Sequence, residues 1–130
     1  MEIALHNPAS VAAPSGRYSH VVEVTGAGRM LFVSGQVPVR PDGTVPDTLA
    51  GQADQVYANI VAVLADRGAP PSAIVKLTTY FVEAADPDDC VRKARARHLG
   101  EHRPASTAVR VAGLVDPAWL IEIDAIAMLP

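Results

Sequence analysis

Trp119-Leu120-Ile121-Glu122-Ile123-Asp124-Ala125-Ile126-Ala127 carries a period of two, the signature of a strand with unlike faces. Ile121, Ile123 and Ala125 share one face, and Glu122 and Asp124 share the other with the apolar Leu120 and Ile126. Upstream, Gly113-Leu114-Val115-Asp116-Pro117-Ala118 reads as a turn. Before it, His102-Arg103-Pro104-Ala105-Ser106-Thr107 opens a strand that runs to about Ala112. Two acids on an otherwise apolar face need a reason. One reason is structural: a solvated outer face, or a cross-strand pair such as Glu122 with Arg110 if the two strands form a hairpin in that register. The other is chemical: a partly buried carboxylate lining a pocket, where desolvation raises its pKa and it can orient or deprotonate a water. The residues leave both open.

The chain of 130 residues reads as a single domain spanning 1–130, long enough to bury a sizeable core. Hydrophobic residues make up 49% of it but aromatics only 5%, so the core must be built from Val, Ile, Leu and Ala. A net charge of −3 without a cluster of Lys or Arg argues against a nucleic-acid partner, because phosphate neutralisation needs a basic patch. The one cysteine, Cys90, cannot close an internal disulfide, and no His or Cys stands at zinc-like spacing from it. No metal or other cofactor is expected. The N-terminus has no basic region or apolar run for export, and no stretch approaches membrane-spanning length. A soluble cytoplasmic protein without membrane contact is the expectation.

Residues up to about Arg17 are rich in Ala, Pro, Ser and Gly and are expected to form a loop. His20 to Thr25 and Arg29 to Ser34 read as strands joined in a hairpin by Gly26-Ala27-Gly28. Pro41-Asp42-Gly43 marks a turn. A helix starts near Asp47 or Thr48, carries Leu49, Ala53, Val56, Ile60, Val63 and Leu64 at helical spacing, and ends at Gly68 before Pro70 and Pro71. Ile74 to Val82 is dense in β-branched and aromatic residues and reads as a strand. Asp86 then caps a second helix with Pro87 at its first position, Asp88 and Asp89 in its first turn, and Arg92, Lys93, Arg95 and Arg97 later, before Gly100 closes it.

The order β-β-α-β-α-β-β, with both helices on one face of a single sheet, makes the fold class α+β. The other face of a sheet this rich in Val and Ile is then uncovered, and self-association into a closed homo-oligomer is the simplest way to cover it.

Tyr18, Val33-Ser34-Gly35-Gln36-Val37-Pro38, Val75-Lys76-Leu77-Thr78-Thr79-Tyr80-Phe81-Val82, Pro104-Ala105-Ser106-Thr107 and Ile121-Glu122-Ile123-Asp124-Ala125-Ile126-Ala127 together resemble the RidA family, also called the YjgF or L-PSP endoribonuclease family. The resemblance covers nearly the whole chain in the right order. It implies a chorismate-mutase-like α+β subunit, a homotrimer, and a small-molecule cleft at each subunit interface. It also implies hydrolysis of reactive 2-imino acids to 2-keto acids and ammonia. In that chemistry an arginine just after Pro-Ala binds the substrate carboxylate, a glutamate on the last strand orients the attacking water, and a tyrosine of the first loop closes the cleft.

Position by position, the resemblance puts Glu122 on the water-orienting glutamate, Tyr18 on the loop tyrosine, and Ser34 and Gly35 on the Ser-Gly after the second strand. The arginine does not carry over, because Ser106 follows Pro104-Ala105. A hydrogen bond to a charged group is worth about 1.5–3 kcal/mol, so carboxylate recognition by that route is expected to weaken by about tenfold to a hundredfold or more. Arg103, just before Pro104, and Arg92, on the second helix, are the two candidates to take over.

The other reactive side chains point to structure rather than chemistry. Ser34 lacks a nucleophile elbow, Cys90 reads as a small buried apolar residue, and His6, His20, His98 and His102 show no metal spacing. The leading expectation is therefore a RidA-like enzyme that uses Glu122 to direct water at a small imine or enamine metabolite in an intersubunit cleft, with Tyr18, Ser34, Gly35, Arg92, Arg103 and Ser106 around the substrate. The alternative is a non-catalytic trimeric protein that binds or senses a small molecule. An endoribonuclease fits less well, given the acidic balance and the scarcity of stacking aromatics.

Overall fold

The structure is a computed structural model, and it describes residues 1–14, 16–26, 28–82 and 89–130. The elements run β1 (Glu2–His6), β2 (Val21–Thr25), β3 (Arg29–Gln36), α1 (Leu49–Asp66), β4 (Ile74–Phe81), α2 (Cys90–Leu99), β5 (Ala105–Arg110) and β6 (Ile121–Leu129), with a 3-10 turn at Pro71–Ala73.

The first helix forms as its sequence dictates. The Thr48 hydroxyl accepts a hydrogen bond from the Gly51 amide at 3.1 Å, satisfying one of the free donors of the first turn. Leu49, Ala53, Val56, Ile60 and Leu64 are buried along one stripe, joined by Gln52 and Tyr57. Val63, expected on that stripe, is exposed instead. Past the helix, Gly68 sits at φ +72°, a left-handed conformation that costs glycine little. The second helix begins at Cys90, which is half-buried against the core rather than buried inside the helix. Asp89 therefore occupies the capping position, with a left-handed backbone (φ 54°) and no side-chain cap bond, rather than the first turn. The expected cap at Asp86, with Pro87 and Asp88, lies outside the described residues, as does Ala27 of the glycine turn.

Strands β3, β6, β4 and β5 form one sheet in that order. β6 is central, antiparallel to both β3 and β4, while β5 runs parallel to β4 after the crossover through α2. Among the described residues neither expected hairpin forms. β2 pairs with β1 in a separate two-stranded sheet, so the segment read as an N-terminal loop supplies a strand and the single sheet becomes two. β5 pairs with β4 and not with β6, which removes the Glu122–Arg110 pair; Glu122 stands opposite Tyr80. A turn signal tells the chain to reverse, not which strand its neighbour will meet.

The period-two reading of the last strand holds, since Ile121, Ile123, Ala125, Ala127 and Leu129 are buried and the residues between them are half-buried. The buried set packs with residues of both helices into one core. On the opposite face the same sheet leaves apolar side chains uncovered: Phe32 is 74% exposed and Met30 50%, and they stand in register with Ile126 and Met128. Among the described residues no helix is long and apolar enough to cross a membrane.

Candidate functional site

Two clefts lie on opposite faces of the four-stranded sheet. Neighbouring residues of one strand point to opposite faces, and β4 divides accordingly: Thr79 and Phe81 line the helix-side cleft, and Tyr80 lines the other.

The cleft on the uncovered face, of about 470 Å³, is open and lined by Gly35, Tyr80, Leu114, Val115, Glu122 and Asp124 among others. The ladder between β3 and β6 shifts register between Val33 and Gln36. Within that irregularity Gly35 comes so close to Glu122 that a Cβ there would overlap the carboxylate, meeting Cδ at 2.9 Å. Only glycine leaves room for this side chain to lie against the backbone. Glu122 is half-buried, and among the described residues it has no hydrogen bond or ion pair. Beside it the Tyr80 hydroxyl donates to Asp124 Oδ2 at 3.2 Å. The negative charge of Asp124, that hydrogen bond, slight desolvation and the charge of Glu122 all raise the Tyr80 pKa above its usual 10.0.

The helix-side cleft, of about 480 Å³, is lined by Arg17, Tyr18, Tyr57, Arg92, Arg95 and Ser106 with several smaller residues. Tyr18 reaches it because the chain after it is tied to the start of β5. The Ser19 amide donates to the Pro104 carbonyl at 3.2 Å, and the Ser19 hydroxyl donates to the Arg103 carbonyl at 2.7 Å. Arg17 pairs with Glu101 at 2.9 Å, and Arg92 stands 3.5 Å from Asp89, both at the surface. Tyr57 is only 1% exposed, and burial pushes its hydroxyl up to about 12. Arg95 Nη1 donates to Ser106 Oγ at 3.3 Å, while Arg95 Nε and Nη2 are closed to solvent and, among the described residues, have no partner.

Tyr18, Arg92 and Ser106 are thus brought together in one cleft, and Gly35 and Glu122 in the other. Ser34 is exposed on β3 beside Gly35. Arg103 is exposed and lines neither cleft; its backbone, not its guanidinium, makes the contact with Ser19. Sequence reasoning missed Arg95, although a signal was present. Val91, Ala94, Arg95 and His98 follow the i, i+3, i+4, i+7 stripe of a helix face, so Arg95 was due to point inward.

An α+β subunit with its helices on one face of a mixed sheet and a carboxylate cleft on the other has the chorismate-mutase-like architecture. The profile of the family described as Endoribonuclease L-PSP matches residues 9–129. A 2-iminobutanoate/2-iminopropanoate deaminase of Escherichia coli (strain K12) is 37% identical over 111 residues, covering 82% of this chain and 85% of that protein. A RutC family protein of Pyrococcus abyssi is 34% identical over 116 residues, covering 88% and 87%. The crystal structure of a Rid family protein of unknown function from Yersinia pestis superposes with a TM-score of 0.86 at 34% identity, covering 99% of this chain and all of that one. The chain belongs to the RidA/YjgF family.

Proposed function

We propose that this protein hydrolyses a small imine or enamine-type metabolite, with Glu122 directing the water, in a cleft completed between subunits of a homotrimer. The observation that carries this reading is the Glu122 carboxylate, unpaired among the described residues, held against Gly35 in an open cleft on the uncovered sheet face. A carboxylate so placed accepts a proton from water as the water oxygen adds to the C=N carbon. The nitrogen takes up that proton to give a carbinolamine; the same carboxylate then takes the hydroxyl proton and passes it to the nitrogen as the C–N bond breaks, the O–H electrons form the C=O bond, and a carbonyl compound and ammonia leave. An enamine enters the same sequence after tautomerising to the imine.

The deaminase activity in the name of the Escherichia coli relative supports the reaction class. The assembly is supported by the exposed Phe32 and Met30, and by the separation of the two clefts. A small ligand cannot touch Tyr18 and Glu122 of one chain across its own sheet. Docking the uncovered face of one subunit on the β5 edge of the next would bring Gly35 and Glu122 toward a neighbour's Tyr18, Arg92 and Ser106, with Ser34 at the rim.

The test is ammonia release from a panel of imines generated in place, by wild type and by Glu122→Gln. Wild type should exceed the uncatalysed rate, and the variant should lose about 10²–10⁴-fold while keeping its melting temperature. Wild-type rates at background across the panel, together with binding of the same ligands, would favour the non-catalytic alternative.

A further inference from the structure

We propose that Arg95 is a carboxylate-recognition residue, positioned by Ser106, and that the ligand of the helix-side cleft is a small organic carboxylate. Of the three guanidinium nitrogens, Nη1 is engaged with Ser106 Oγ at 3.3 Å. The two left without a partner among the described residues, Nε and Nη2, form one edge of the planar group. That edge offers two parallel N–H donors at the spacing of the two oxygens of one carboxylate.

A guanidinium with a dry, unpaired edge is costly unless something else repays the desolvation. Among the described residues no acid lies within ion-pair distance of Arg95, whereas Arg17 and Arg92 in the same cleft have Glu101 and Asp89. Burial and the neighbouring Arg17 lower the Arg95 pKa, yet guanidinium stays charged at any ordinary pH. The cleft beside it carries Tyr18 and Tyr57 and has room for a molecule of metabolite size. An anion meeting Arg95 there meets a cation that folding has already dehydrated. Contact needs the buried edge of the guanidinium to turn toward the cleft that Arg95 lines. Ser106, by holding Nη1, is the pivot of that turn and keeps the turned Nε–Nη2 edge directed at the cleft, which makes it a positioning residue for the cation.

The inference rests on the imine-hydrolase reading only for the statement that the bound carboxylate belongs to substrate or product. Its test is therefore binding, not turnover. Calorimetric titration with 2-oxobutanoate, its neutral amide and inorganic phosphate should show binding of the carboxylate, no measurable binding of the amide, and weaker binding of phosphate. Arg95→Gln should weaken 2-oxobutanoate binding at least tenfold and Arg95→Lys by a similar factor, because lysine lacks the planar fork. Ser106→Ala should weaken it several-fold, with recovery in Ser106→Thr. Arg97→Gln, which removes a charge from the same helix, should leave it within about twofold. Arg95→Met should lose binding while its melting temperature stays level or rises, which separates recognition from folding.

Unchanged affinity in folded Arg95→Gln, or phosphate bound more tightly than the carboxylate, would overturn the assignment. Arg95-dependent binding without turnover would sink the hydrolase reading and leave this one standing; turnover indifferent to Arg95 would do the reverse.

Discussion

The Glu122 carboxylate occupies the space in which a side chain on residue 35 would stand. Gly35→Ala must therefore displace it. The displaced atoms are the free end of a flexible side chain, so the fold should survive within a few degrees of the wild-type melting temperature. Turnover should nevertheless drop by roughly 10²-fold, the scale associated with misplacing a reacting group by about 1 Å. Full activity in the alanine variant would show that the observed position of Glu122 is not the working one.

Gln52 is buried on α1 and ties the loop before β6 to the helix. Its Nε2 donates to the carbonyls of Pro46 at 3.0 Å and Ala118 at 2.9 Å, and its Oε1 accepts from the Leu120 amide at 2.7 Å. Gln52→Ala should cost about 2–4 kcal/mol in urea denaturation, since it strands three backbone groups at once. It should also lower turnover, because Leu120 leads directly into the strand that carries Glu122. A loss below about 1 kcal/mol would mean that water replaces the amide without cost.

Asp54 is held below its ordinary pKa of 3.8, first by its hydrogen bond with His98 and then by Arg97, with burial opposing. A carboxyl with a depressed folded pKa contributes stability that is complete above its unfolded value. That contribution is lost as the pH falls through the folded one. The group is half exposed, so Asp54→Asn should cost less than about 1 kcal/mol at pH 7. The gap between wild type and variant should close as the pH drops below 3.8, which melting curves from pH 7 to 3 would follow. A gap that stays constant would assign the effect to something other than ionisation.

Phe32 and Met30 leave an apolar strip on the sheet that water does not favour. Sedimentation in dilute solution should find about three times the subunit mass of 13.6 kDa. Phe32→Glu should dissociate the assembly, because burying a phenylalanine is worth about 1.5–3 kcal/mol and a buried unpaired carboxylate costs more. A wild-type monomer at micromolar concentration would sink the intersubunit cleft.

Much of this was legible because it is local. The Thr48 cap, the stripe from Leu49 to Leu64, the dense β-branched run of β4 and the alternation of β6 each announce themselves within a few residues. The strand partners did not, because pairing is decided by long-range packing. β5 follows β4 and α2 and so completes a parallel crossover, although the turn after it suggested a hairpin with β6. β1 was hidden by a flank rich in Ala, Pro and Ser. The same contrast divides the site. Glu122 stood out by its acid charge on an apolar strand, while Arg95 was masked by the basic residues around it on α2, although its place on the inward stripe with Val91, Ala94 and His98 set it apart from them.

That Tyr80 and its neighbours Thr79 and Phe81 serve different clefts has a genetic consequence. On the proposed arrangement each chain owns two half-sites and no whole one. A subunit ruined at Glu122 still lends its intact arginine side to one neighbour, and a subunit ruined at Arg95 lends its carboxylate to another. Two inactive variants, unfolded together and reassembled as mixed trimers, should therefore regain activity that neither shows alone.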